Sequence, residues 1–143
     1  MVVNSHHAVR RALCERIRAS LNGFSLWEAA TMDDALALLD QVDFDVVVID
    51  GEGGGIGGLK GTRAILERSP RASVIVMSSF SDSACRSAAS HAGAMAFVSK
   101  RAVGSELVQI LAELAGRKSS RNVRGLVNDA AAAQRSADAD LTP

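Results

Sequence analysis

Short apolar runs alternate along the chain with longer stretches in which apolar side chains return every three or four positions, up to about residue 116. Two of the runs, Val46-Val47-Val48-Ile49 and Val74-Ile75-Val76-Met77, are apolar at every position. A strand with one face in water alternates apolar and polar residues, so uninterrupted runs of this kind belong to central strands covered on both faces. The pattern predicts strands at Met1 to Asn4, Phe24 to Glu28, Phe44 to Asp50, Ser73 to Met77 and Ala94 to Val98. Helices are predicted between and after them. Ala8 to Leu21 carries Val9, Leu13, Ile17 and Leu21 on one stripe, and Met32 to Leu39 follows Thr31, a residue suited to cap a helix start. Gly58 to Glu67 presents Leu59, Ala64 and Ile65 and is stopped ahead of Pro70. Ser83 to His91 is rich in Ala, and Ser105 to Ala115 presents Leu107, Ile110, Leu111 and Leu114.

Strands and helices in strict alternation make an α/β fold. The economical arrangement is a flavodoxin-like, doubly wound, five-stranded parallel sheet of order 2-1-3-4-5 with helices on both faces. Ligands bind such sheets beyond the carboxyl ends of the strands, so site residues are sought there. The first strand has little chain before Asn4, fewer residues than the usual 5 or so of a central strand.

Composition narrows the function classes. With 143 residues and 48% apolar content, one core and one domain are expected over 1–116, followed by a linker or tail over 117–143. That tail carries five basic and three acidic residues, a mildly basic, solvated composition. Sixteen basic against sixteen acidic residues leave no net charge to draw the chain to nucleic acid or to an anionic membrane. Aromatic residues are only 3% and Tyr is absent, which argues against a base-stacking platform. No run approaches the roughly 18 apolar residues of a membrane span, and no apolar stretch precedes Arg10-Arg11, so a cytoplasmic location is expected. Cys14 and Cys85, far apart and set in helical patterns, are expected to be reduced and buried.

The candidate chemistry lies at the strand ends. Asp50 closes the most apolar strand, where a rigid element would hold its carboxylate at the sheet edge. Such a carboxylate can accept a phosphoryl group if nearby cations neutralise the incoming oxygens. Lys100 could supply a cation, and the Ser78 hydroxyl could donate to a phosphate oxygen. A plain ion pair between Asp50 and Lys100, with Ser78 capping a loop, accounts for the same spacing. Gly53-Gly54-Gly55-Ile56-Gly57-Gly58 satisfies the G-x-G-x-x-G pattern of dinucleotide loops. Five glycines in six residues meet it almost by default, however, and Ser78 and Ser79 stand where the acid that binds a ribose is expected. His6, His7 and His91 have no Cys or acid cluster beside them and read as surface or cap residues.

Asp50 after Asp45-Val46-Val47-Val48-Ile49, Ser78 after Val74-Ile75-Val76-Met77, and Gly93-Ala94-Met95-Ala96-Phe97-Val98-Ser99-Lys100 together resemble receiver domains of bacterial two-component response regulators. The resemblance runs over about residues 2 to 116. Val3-Asn4-Ser5-His6-His7-Ala8-Val9-Arg10 resembles the opening of the NarL/LuxR-type branch, whose pattern is Val-Asp-Asp-His-Pro-Leu-Val-Arg. The resemblance implies Asp50 as phosphoacceptor candidate, Lys100 and Ser78 as phosphate-oxygen partners, and Phe97 as the switch aromatic. It also places the family's magnesium-binding acidic pair on Asn4 and Ser5, neither of which carries charge. Magnesium binds mainly through carboxylates, phosphates and retained water, so its binding is expected to be weak or absent, with no metal ligand beyond Asp50 and no other cofactor. The loop after Asp50 departs as well, a glycine run replacing the family's Met-Pro-Gly turn. Glu52 in that loop is either a substitute metal ligand or, as we expect, a solvated side chain.

Asp140-Leu141-Thr142-Pro143 resembles the opening of the helix-turn-helix output domain in the same branch. The expectation is therefore the regulatory receiver of an atypical two-component transcription regulator with a degenerate phosphorylation pocket, not an enzyme. Implied partners are a histidine kinase or other signalling protein, a second copy in a homodimer, and DNA only through a domain not in this chain. A stand-alone pseudo-receiver acting by protein contacts and a nucleotide-binding protein using residues 53–58 are the alternatives.

Overall fold

The computed structural model describes residues 1–52, 58–80 and 82–117. The glycine run at 53–57 and the tail from 118, including Asp140 to Pro143, lie outside the described residues. In chain order the elements are β1 (Val2–Val3), α1 (His7–Ser20), β2 (Glu28–Ala29), α2 (Met32–Leu39), β3 (Val46–Asp50), α3 (Gly58–Arg68), β4 (Ser73–Ser78), α4 (Ser83–His91) and β5 (Ala96–Ser99). Residues 103–117 are helical and are called α5. The chain divides into two compact units, Met1–Val108 and Gln109–Pro143; of the second, residues 109–117 are described and are helical.

All strand pairings are parallel, and the sheet order is β2-β1-β3-β4-β5, the order expected from the alternation. β3 and β4 hold the centre because both their faces are apolar. Val47, Ile49, Val74 and Val76 pack into one core with Ala35, Leu39, Ile65 and Ala89 from α2, α3 and α4. The alternate residues Val48, Ile75 and Met77 are also buried, as are Leu13, Cys14 and Ile17 of α1. Burial of each such side chain stabilises the fold by about 1.5–3 kcal/mol relative to exposure. The Arg16 guanidinium ties α1 to the start of α5 through the Gly104 carbonyl, at 2.8 and 3.1 Å.

Local signals explain the boundaries. The Thr31 hydroxyl accepts from the Asp34 N–H at 3.1 Å, the cap expected for α2. Asp82 caps α4 in the same way through the Cys85 N–H at 2.8 Å. Gly93 turns the chain from α4 toward β5 at φ 101°, a conformation that glycine adopts without the steric cost of a Cβ.

Some expectations fail in detail. β2 is only Glu28–Ala29, because its single neighbour β1 offers just two paired residues; Phe24 and Trp27 stay exposed at 37 and 42%. Val9 and Leu59 lie off the buried stripes of α1 and α3; Cys14 joins Leu13 and Ile17 on the first, and Gly61 and Thr62 join the expected Ile65 on the second. Cys14 is buried, but Cys85 is only partly so, since it sits in the first turn of α4 beside the Asp82 cap. Both thiols are free.

Candidate functional site

Parallel strands deliver their carboxyl ends to one edge of the sheet, and there the sequence places its polar residues. Asp50 is opposite Met77, and Ser78 is opposite Ser99, one residue before Lys100. The ladder extends one step past the strands: the Lys100 N–H donates to the Ser78 carbonyl at 2.9 Å, and the Asn4 N–H to the Ala29 carbonyl at 3.1 Å. Asn4, Asp50 and Ser78 are buried polar residues at 2, 7 and 6% exposure, so each must find partners within the protein.

The partners of Asp50 are all present. Lys100 Nζ lies 2.8 Å from Oδ1 and 3.0 Å from Oδ2. The Glu52 N–H donates to Oδ1 at 3.0 Å, and Asn4 Nδ2 donates to Oδ2 at 3.1 Å. The structure thus joins Asp50, Lys100 and Asn4 in one contact. Asn4 is held from its other end as well: its Oδ1 accepts from the His6 N–H at 2.8 Å, and its carbonyl accepts from Arg10 Nη1 at 2.6 Å. Ser5 is exposed, and it lines an open pocket together with Asn4, Thr31, Met32 and Asp50. Its hydroxyl is not among the hydrogen-bond partners of Asp50 in the described residues.

Ser78 is at the edge but not on Asp50. Its hydroxyl donates to Glu52 Oε1 at 3.1 Å and accepts from the Phe80 N–H at 3.1 Å. Phe97 lies apart from the polar cluster, within β5. Half-buried, it packs against the core that Val76 also joins, with the Arg86 guanidinium 5.1 Å from its ring centre. His6 occupies the position before α1 and reaches the site only through its backbone N–H on Asn4, while His91 bonds the Ser87 carbonyl at the end of α4.

Glu52 is exposed, as the sequence reading expected, but it is not unpartnered. Its carboxylate accepts from the Ser78 hydroxyl, the Ser79 N–H, the Ser79 hydroxyl at 3.1 Å and Lys100 Nζ at 3.1 Å. Burial acts to raise its pKa, but the Ser79 N–H, Lys100 and the two hydroxyls outweigh this and hold the group at about 2 against an ordinary 4.5. Lys100 is partly buried, which lowers its pKa, yet its bonds to Asp50 and Glu52 leave it raised. Ser79 is a site residue that sequence reasoning missed, and Glu52 one that it weighed only as a metal ligand or a solvated side chain. The available signal was spacing: a residue two positions past a strand-end Asp can fold back through an N–H bond to that Asp, as Glu52 does.

Gly51 and Gly58 meet directly: a Cβ at Gly58 would stand 2.6 Å from the Gly51 Cα, so only glycine fits there without movement of the backbone. The Gly58 N–H donates to the Gly51 carbonyl at 3.2 Å, bringing the start of α3 to the site. Chemically, the edge offers a carboxylate neutralised by one ammonium, beside a second set of donors held by Glu52.

The chain as a whole is similar to known proteins. The profile of the response regulator receiver domain matches residues 1–112. The chain is 31% identical over 115 residues to response regulator GacA of Pseudomonas aeruginosa, covering 80% of this chain and 53% of that protein. It is 30% identical over 102 residues to transcriptional activator protein ExaE of Pseudomonas putida, covering 71% and 48%. The chain therefore spans about half the length of the curated relatives it matches. Among solved structures, a two-component response regulator of the LuxR family from Aurantimonas superposes with a TM-score of 0.74 at 33% identity, covering 81% of this chain and 84% of that one.

Proposed function

The chain belongs to the response regulator receiver domain family, and on that premise we propose that it is the regulatory receiver of an atypical two-component transcription regulator whose phosphorylation pocket is degenerate. The observation that carries this reading is the hydrogen bond from Asn4 Nδ2 to Asp50 Oδ2 at 3.1 Å. An acid at position 4 would set two carboxylates against each other, a repulsion that a divalent cation relieves. Asn4 removes the repulsion and supplies an N–H instead, so Asp50 is satisfied without a cation.

The donor set is a poor match for magnesium. The two oxygens of Asp50 already serve Lys100, Asn4 and the Glu52 N–H, and Asn4 Oδ1 is engaged by the His6 N–H. Glu52 is turned to Lys100 and the two serines. These residues do not fit a hard dication that prefers several carboxylate or water oxygens in an octahedron. Asp50 remains the phosphoacceptor candidate, with Lys100 and Ser78 as phosphate-oxygen partners, but its oxygens must give up bonds before they can attack. Phe97, packed between Arg86 and the core, is the element whose rearrangement would report a change at the sheet edge.

Similarity to a transcriptional activator supports a role in transcription, exerted on DNA through a segment outside residues 1–116, with the receiver over 1–116 and a linker over 117–143. A histidine kinase or other signalling protein is the upstream partner, and a second copy of the chain the downstream one. A cytoplasmic location agrees with this role, and among the described residues no helix is long and apolar enough to cross a membrane.

Intact-protein mass after incubation with acetyl phosphate and magnesium tests the pocket. We expect no gain of a phosphoryl group. A gain in the wild type that Asp50→Asn abolishes would show that Asp50 is competent and refute the degenerate pocket.

A further inference from the structure

Glu52 follows Asp50 by two residues, and its backbone N–H donates to Asp50 Oδ1 at 3.0 Å, which turns the chain across the sheet edge toward β4. The turn carries the carboxylate onto four donors. Oε1 accepts from the Ser78 hydroxyl and the Ser79 N–H, and Oε2 from the Ser79 hydroxyl and from Lys100 Nζ, the two Oε2 distances both being 3.1 Å. Two hydroxyls, one backbone amide and one ammonium converging on a single point form a cradle for an oxyanion. Two of these donors, Ser78 and Lys100, are the groups assigned above to phosphate oxygens. Lys100 spans both carboxylates, lying 2.8 Å from Asp50 Oδ1 and 3.1 Å from Glu52 Oε2. An anion joined to Asp50 or resting beside it would need the place that the Glu52 carboxylate fills.

We propose that Glu52 is a tethered anion that occupies this cradle in place of a phosphate group and holds Ser78, Ser79 and Lys100 in their anion-bound arrangement without phosphorylation. The inference rests on the receiver reading given above. Glu52 competes through proximity: a carboxylate two residues from Asp50 is held at an effective concentration of the order of millimolar or more, which a free anion in solution must exceed. The depressed pKa of Glu52, about 2, agrees with a carboxylate that is stabilised in its ionised, bound form. The cradle is thus an anion site with a resident ligand. A receiver built in this way needs its glutamate displaced, rather than its aspartate phosphorylated, to change state.

Phosphate titration followed at the Ser79 amide by nitrogen-edited NMR tests this directly. The wild type, Glu52→Ala and Glu52→Gln are titrated with inorganic phosphate at constant ionic strength, with chloride as the control anion. In Glu52→Ala the Ser79 resonance should move saturably with phosphate and not with chloride, at an apparent Kd at least about tenfold below that of the wild type. Glu52→Gln, which keeps the side chain's size and removes its charge, should fall on the same side of the wild type and stands in if the alanine variant is unfolded. Equal phosphate responses in wild type and variants would overturn the proposal, as would a Ser79 amide that ignores phosphate in both variants. The titration needs no covalent transfer, so it is separate from the acetyl phosphate assay. Phosphorylation of the wild type at Asp50 would refute the degenerate pocket, whereas only the amide titration decides whether Glu52 is the occupant.

Discussion

Asn4→Asp restores an acid to the sheet edge, and the structure sets what it should cost. The substitution replaces an N–H donor 3.1 Å from Asp50 Oδ2 with a carboxylate oxygen, at a position only 2% exposed. Two unit negative charges at that 3.1 Å spacing repel by about 5 kcal/mol at an effective dielectric of 20 or so. Loss of a hydrogen bond to a charged acceptor adds about 1.5 kcal/mol, and Lys100 offsets part of both. The protein also has an escape, because protonating one carboxyl of ordinary pKa at neutral pH costs about 4 kcal/mol and caps the penalty. The expected loss is therefore about 2–4 kcal/mol near neutral pH. The introduced carboxyl has its folded pKa raised above its unfolded one. Its penalty is consequently absent below the unfolded value, near pH 4, and grows as pH rises toward the folded value. Urea unfolding monitored through Trp27, the single tryptophan, which meets Phe44 edge-on at 5.9 Å, reads the difference. A loss under about 1 kcal/mol at neutral pH, or an equal loss near pH 4, would refute the view that Asn4 relieves a charge conflict at Asp50.

Magnesium chloride should leave the thermal midpoint of the wild type unmoved and raise that of Asn4→Asp, where two carboxylates would face each other; a wild-type rise would overturn the misfit drawn from the donor set. Because the folded pKa of Glu52 is depressed to about 2 from 4.5, its contribution is complete above the unfolded value and is lost as pH falls through the folded one. With 29% of the side chain still exposed, solvent screening leaves Glu52→Gln costing about 1 kcal/mol at neutral pH, a difference from wild type that acid titration should erase. Gly58→Ala drives a Cβ to 2.6 Å from the Gly51 Cα and should cost about 1–3 kcal/mol in urea unfolding. Thr31→Ala removes the acceptor for the Asp34 N–H and should cost about 1 kcal/mol, seen as a lower urea midpoint.

The amino-acid order by itself determined the alternation of elements, the central place of β3 and β4 and the sheet order, because fully apolar strands can only be buried on both faces and parallel connections wind one way. It also placed Asp50, Ser78 and Lys100 at one edge, since strand ends of a parallel sheet coincide whatever the loops do. Edge details escaped it. The length of β2 depended on how much of β1 was available to pair, and the exposure of Val9 and Leu59 on helix rotation against the sheet, neither of which periodicity can weigh. The role of Glu52 escaped it most completely. A glutamate in a glycine-rich loop reads as solvated, because nothing in one dimension shows that an N–H bond to Asp50 turns it toward serines 26 and 27 positions away and a lysine 48 positions away. Only the tertiary structure could decide that, since the donors that hold the carboxylate come from two other strand ends, and their convergence is a property of the packed sheet.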